Sequence, residues 1–169
     1  MGGRNARRGL RLAGTFLVPA LLGACAAQAP APTGLPSIYL PLASNNAHID
    51  VDASRDMISA YRRNRGAPPL AVDPELQRLA EAEAAAMALA DRPSQAQTVK
   101  AAVQRLGYAD VNANLSAGYH TLAEAFSGWR ESAPHDAAMV DPRATKMGIA
   151  TAYAPGSKYK VYWALLTAR

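Results

Sequence analysis

One cysteine in 169 residues, Cys25, leaves no partner for a disulfide within the chain. Histidine is almost as scarce: His48, His120 and His135 are scattered at spacings that match no metal motif. Ser116-Ala117-Gly118 is not a Gly-x-Ser-x-Gly elbow and no glycine-rich run precedes a helix, which excludes two common enzyme signatures. Internal repeats are absent. Charge of one sign is missing as well, once the N-terminus is set aside. The overall balance is +5, but Arg4, Arg7, Arg8 and Arg11 precede Cys25 and no acid does, leaving 14 basic against 13 acidic residues beyond it. So neutral a remainder has no electrostatic footprint for nucleic acid. Nor is there a long apolar run: Leu12 to Ala24 falls short of the roughly 20 residues that a permanent membrane helix needs.

What the N-terminus does have is a basic start, a short apolar segment and small residues before Cys25, the pattern of a secretory signal. Leu22-Gly23-Ala24-Cys25 resembles the bacterial lipobox, in which cleavage precedes a cysteine that becomes lipid-modified. An acyl anchor accounts for a solitary cysteine at this place better than folding does. By analogy with bacterial lipoproteins, Ala26 after it points to the outer membrane. Pro30, Pro32 and Pro36 among Ala and Gly then make a semi-extended tether. The expected division is a signal over 1–24, a lipidated cysteine and tether over 25–53, and one domain over 54–169. The segment from Ile38 to Asp52 is ambiguous, because its apolar residues could pack while Pro41 and Ser44-Asn45-Asn46 oppose a regular element.

Half of the residues are hydrophobic and 18% are charged, which suits a globular domain with a real core. Ser54 reads as the cap of a first helix carrying Met57, Ile58 and Tyr61, ended by Gly66-Ala67-Pro68-Pro69. Asp73 caps a second, with Pro74 at the first helical position and Leu76, Leu79, Ala80 and Met87 at helical spacing. Gln95 to Leu106 reads as a third. Thr121 and Glu124 form a capping box for a fourth, whose Leu122, Ala125, Phe126 and Trp129 make one apolar stripe. Alternation then takes over at Met147, Ile149, Thr151 and Tyr153, and again at Tyr159, Val161, Trp163 and Leu165, with Ala154-Pro155-Gly156-Ser157 as the turn. Helices followed by an antiparallel hairpin give an α+β domain with both tryptophans buried.

Three stretches read as parts of one site: Asn112-Ala113-Asn114-Leu115, Trp129-Arg130-Glu131-Ser132-Ala133-Pro134-His135, and Met147-Gly148-Ile149-Ala150. With Tyr61-Arg62, Gly66, Leu70, Leu76, Ala80, Ala84 and Met87 before them and Tyr162-Trp163 after, their order resembles the CAP superfamily, on its bacterial branch. Its relatives include cysteine-rich secretory proteins, insect venom antigens and plant pathogenesis-related proteins. The resemblance runs from Ser54 to about Ala168, with Ser59 where the family has asparagine. It implies an α-β-α sandwich of about four helices and a small antiparallel sheet ending in the hairpin.

The resemblance also implies a metal-binding or catalytic tetrad of two His and two Glu, and here the chain departs. Only His135 is kept. Gln95 is the nearest match to the other histidine, Ala113 stands for one glutamate and Ser132 for the second. With Asn114, these positions define the expected cavity: Gln95, Ala113, Asn114, Ser132 and His135. One histidine, one amide and one hydroxyl make a poor zinc set, so no cofactor is expected. Glu131 points about 100° away from Ser132 on a helix and does not replace it. The expectation is an envelope lipoprotein on the periplasmic side of the outer membrane, a non-catalytic module binding a small hydrophobic ligand or an envelope partner. The rival readings are a hydrolase using His135 with Ser132 or Glu131, and a weak metal-binding interaction protein. His135 itself is expected to fix a corner between helix and loop, its ring bonding backbone groups left unpaired by an irregular segment from Asp136 to Thr145.

Overall fold

A computed structural model describes residue 2 and residues 34–169. The signal, Cys25 and the start of the tether lie outside the described residues. Helix α1 spans Val51–Asn64, strand β1 Ala71–Val72, α2 Pro74–Ala90, α3 Ala96–Arg105, β2 Asn112–Ala117, α4 Leu122–Glu131, α5 Ala133–Val140, β3 Lys146–Tyr153 and β4 Val161–Ala168. The strands form one sheet in the order β1-β3-β4-β2, with β1 parallel to β3 and the other pairs antiparallel.

The two hairpin strands carry the core. Tyr162, Ala164, Leu166 and Ala168 of β4 face α2 and α3, while Val161, Trp163 and Leu165 face α1, α4 and α5. All eight residues of β4 are buried, so its apolar run has no solvent side. This is the pattern of a central strand covered on both faces. Trp129 and Trp163 are both fully buried and meet edge to face at 6.0 Å. Their indole N–H groups donate to Ser116 Oγ and to the Tyr119 carbonyl. The two tryptophans therefore sit where the periodicity put them.

Local signals set most boundaries. Asp73 accepts from the Glu75 and Leu76 N–H groups at the head of α2, with Pro74 beside it. Thr121 and Glu124 close the capping box of α4. Three expectations need correction. First, Ser54 is not the cap of α1: Asp50 is, accepting from Ala53 N–H, while the Ser54 hydroxyl donates back to the Asp50 carbonyl inside the first turn. Second, residues 34–53 do not hang free. They include a single 3₁₀ turn at Ser37–Tyr39, Leu42 joins the core beneath α4, and its N–H donates to the His120 carbonyl at 2.8 Å. Third, the segment read as a loop from Asp136 to Thr145 begins as a fifth helix, α5. Pro134 occupies the first turn of this new helix, where proline has no N–H to lose.

Candidate functional site

β2 is the last strand of the sheet, and α3 and α5 lie against its two faces. Between them a cleft of about 680 Å³ opens along the free edge of β2. Ala113 and Leu115 form its floor, Ser94, Gln97 and Lys100 one wall, and His135, Ala138 and Arg143 the other. Both flanking helices begin at the cleft without a side-chain cap, at Gln95 and at Ser132, so their first-turn N–H groups add positive potential there.

Four contacts hold α5 in place. Tyr61 donates its hydroxyl to Asp136 at 2.7 Å, and Arg65 reaches the same carboxylate. Asn114, almost fully buried on β2, donates its amide to the His135 carbonyl at 3.0 Å. Arg62 donates to the Met139 carbonyl near the end of the helix. The corner is thus fixed through the backbone of His135 and not through its ring, which makes no hydrogen bond among the described residues. That corrects the expected role. The ring is half-buried, and burial alone pushes its pKa below the ordinary histidine value, so the imidazole facing the cleft is neutral at pH 7.

Of the expected cavity residues, the structure brings Ala113 and His135 to one cleft. Asn114 supports it from behind. Gln95 opens onto a neighbouring depression with Glu83 and Thr98. Ser132 is the joint between α4 and α5, and Glu131 is exposed at the end of α4; neither lines the cleft. The third stretch, Met147 to Ala150, lies in β3 and does not reach it either. The residues at this place do not fit a zinc ion. His135 is one donor, Ala113 supplies none, and the nearby Asp141 is already engaged by Arg143 and Asn112. Among the described residues no group of three or more His, Cys, Asp and Glu is placed to hold a metal.

Asp141, Arg143 and Lys100 were not singled out from the sequence. Asp110 accepts from Arg143 at 2.8 Å and from Arg169 at 2.7 Å, and Arg143 also pairs with Asp141 at 2.7 Å. These partners come from three segments far apart in the chain, so no spacing rule reveals them. Arg143 and Asn112 hold the Asp141 carboxyl well below the usual carboxylate range. A depressed folded pKa stabilises above the unfolded value of 3.8 and loses that contribution as pH falls below it. The melting temperature is therefore expected to drop as pH falls from about 4 to about 2, and Asp141→Asn to flatten that limb. Thermal melts across this range check it: an equally steep limb in the variant would show that the contact contributes nothing.

The sequence matches the family described as "Cysteine-rich secretory protein family" (CAP) over residues 55–166. Among solved structures, the chain is similar to an outer surface protein from Borrelia burgdorferi, at 16% identity and a TM-score of 0.60 over 73% of this chain and 97% of that one. It is also similar to an extracellular protein containing an SCP domain from Bacillus anthracis, at 18% identity and a TM-score of 0.58. A cysteine-rich secretory protein from Staphylococcus aureus follows at 14% identity and 0.53. In each of these two cases 70% of this chain is covered, but it spans only 40% and 38% of the other. No curated protein matches the sequence significantly. At these identities the structures establish the shared fold alone.

Proposed function

This chain belongs to the CAP family of cysteine-rich secretory proteins, and from that membership we propose that it is a non-catalytic binding module for a small hydrophobic ligand, anchored in a bacterial outer membrane by lipid on Cys25. The observation that carries the reading is an apolar groove of about 300 Å³ between α2 and α3, lined by Leu79, Ala82, Ala86, Ala102, Val103 and Leu106. Leu106 is 59% exposed at its end. Leu79, Ala82, Ala86 and Leu89 form one stripe on α2, and Leu89 is 90% exposed just beyond the groove. Glu83 is the only charged residue in the lining. An apolar hollow with few polar groups suits an acyl chain.

Hydrolysis finds less support. A histidine base needs a nucleophile within about 3 Å and a third group to orient it. The His135 ring has neither among the described residues, and Ser132 and Glu131 lie off the cleft. The proposal includes no zinc at this place, since Ala113 and the paired Asp141 leave His135 as a lone donor. No helix of the described residues is long and apolar enough to cross a membrane, so the anchoring proposed here rests on Cys25.

Mass spectrometry of the protein extracted from envelopes of a Gram-negative host tests both parts. The expected result is an acylated N-terminus at Cys25 and a reproducible co-purified lipid that Ala86→Glu removes. Protein that carries no lipid in its groove, in wild type as in variant, would overturn the ligand assignment.

A further inference from the structure

The free edge of the sheet carries an inference separate from the groove. Sheet edges are normally guarded against stray strands by charge, proline, short length or a covering element. One edge here obeys that rule, because β1 is two residues long. The other does not. β2 runs for six residues, Asn112-Ala113-Asn114-Leu115-Ser116-Ala117, with no charge and no proline, and among the described residues it pairs with β4 alone.

The register shows which main-chain groups are left over. β2 and β4 pair from Asn112 with Thr167 to Ala117 with Tyr162, and Gly118 continues by donating its N–H to the Val161 carbonyl at 2.9 Å. Bonded and non-bonded pairs alternate along an antiparallel ladder. Counting back from Gly118, Ser116, Asn114 and Asn112 bond to β4, whereas Leu115 and Ala113 turn their N–H and C=O outward. Those two residues are the floor of the cleft.

The walls give a sign to what would fit. Asp110 and Asp141 are matched by Arg143 and Arg169. Lys100 is half-buried in the cleft and makes no ion pair or hydrogen bond among the described residues. The two uncapped helix starts add potential of the same sign. His135, neutral at pH 7, does not oppose a nearby hydrogen-bonding group of either kind.

We propose that the cleft takes an acidic extended peptide, which adds to β2 as a fifth strand and sets a carboxylate side chain against Lys100. Main-chain bonds to Ala113 and Leu115 would supply affinity and the lysine would supply selectivity, as in other strand-addition sites.

The test is fluorescence anisotropy of the full chain against an arrayed set of labelled, C-terminally amidated hexapeptides in which valine alternates with a second residue. That second residue is glutamate, lysine or proline throughout each peptide. Glutamate members should bind saturably, and lysine members about tenfold more weakly. Ala113→Pro removes an outward N–H and no bond to β4, and should weaken binding about tenfold or more. Lys100→Glu should invert the preference from glutamate to lysine peptides, a result that unfolding cannot produce. If Ala113→Pro fails to fold, the Lys100→Glu inversion decides alone. Glutamate peptides that bind no better than proline controls, or a preference unmoved by Lys100→Glu, would overturn the proposal. Lys100 and Ala113 do not line the apolar groove, so a labelled fatty acid should bind equally to wild type and Lys100→Glu. A failed strand site would therefore leave the groove assignment standing.

Discussion

Gly148→Ala is expected to leave no stably folded protein. A Cβ at this position would lie 2.3 Å from the carbonyl carbon and oxygen of Leu76 and 2.4 Å from the Gln77 nitrogen. These are main-chain atoms inside α2, so no rotamer change can relieve the clash. Strand β3 cannot retreat either, because it is paired on both sides, to β1 and to β4. The approach is further locked by Gln77, whose amide group donates to the Ile149 carbonyl at 2.9 Å and accepts from the Ile149 N–H at 3.0 Å. Overpacking of adaptable side chains typically costs about 1–3 kcal/mol. Here the backbones themselves must part along the helix that covers the sheet, and the expected loss exceeds about 4 kcal/mol, within reach of a domain's whole stability. Chemical denaturation of the variant checks this; a midpoint close to wild type would mean that α2 and β3 are not so close. The need for glycine is one of space, and it explains Met147-Gly148-Ile149-Ala150 as a packing element.

Arg62→Ala ranks next, with an expected loss of about 4 kcal/mol or more. Arg62 is wholly buried, and among the described residues its guanidinium forms no salt bridge. Instead it donates to four carbonyls: Pro68 at 2.8 Å, Met139 at 2.5 Å, Asp141 at 3.1 Å and Ala144 at 2.8 Å. Met139 lies in the last turn of α5, where carbonyls lack helical partners and carry the negative end of the helix dipole. One side chain thus caps α5 and fixes the turn into β3, the same turn that presents Asp141 and Arg143 to the cleft. Removing it leaves buried acceptors unpaired, at about 1–3 kcal/mol each and not fully additive. Arg62→Lys should recover only part of the loss, because an ammonium lacks the planar fork that reaches several acceptors at once. Denaturation midpoints and amide exchange over residues 139–145 measure both effects. Unchanged exchange in Arg62→Ala would show that the turn holds without it.

Where the chemistry is local, the residues could be read directly. Asp73 with Pro74, and Thr121 with Glu124, bond backbone groups two or three positions away, so their meaning is complete within one turn. The alternation from Met147 onward gave the hairpin for the same reason. α5 escaped because eight residues with a weak apolar stripe do not make a stable helix alone. Tyr61, Asn114 and Arg62, distant in the chain, stabilise it. Ser54 misled because its hydroxyl serves equally well as a cap or as a bond back into the first turn, and the neighbouring Asp50 decides which.

By itself the sequence determined the α+β class and the buried tryptophans, since periodicity and caps act over a few residues and hydrophobic burial follows from them; the sandwich was implied only by the resemblance to the CAP family. The sequence also put an alanine at position 113, a residue that cannot ligate or titrate in any fold. The tertiary structure alone decided which residues share the cleft. It buried Arg62 while leaving Arg63 and Arg65 in solvent, set His135 to bond through its carbonyl, and left β2 as an uncharged open edge beside Lys100. Such outcomes depend on which elements become neighbours, and contacts between residues far apart in sequence leave no periodic trace in the chain.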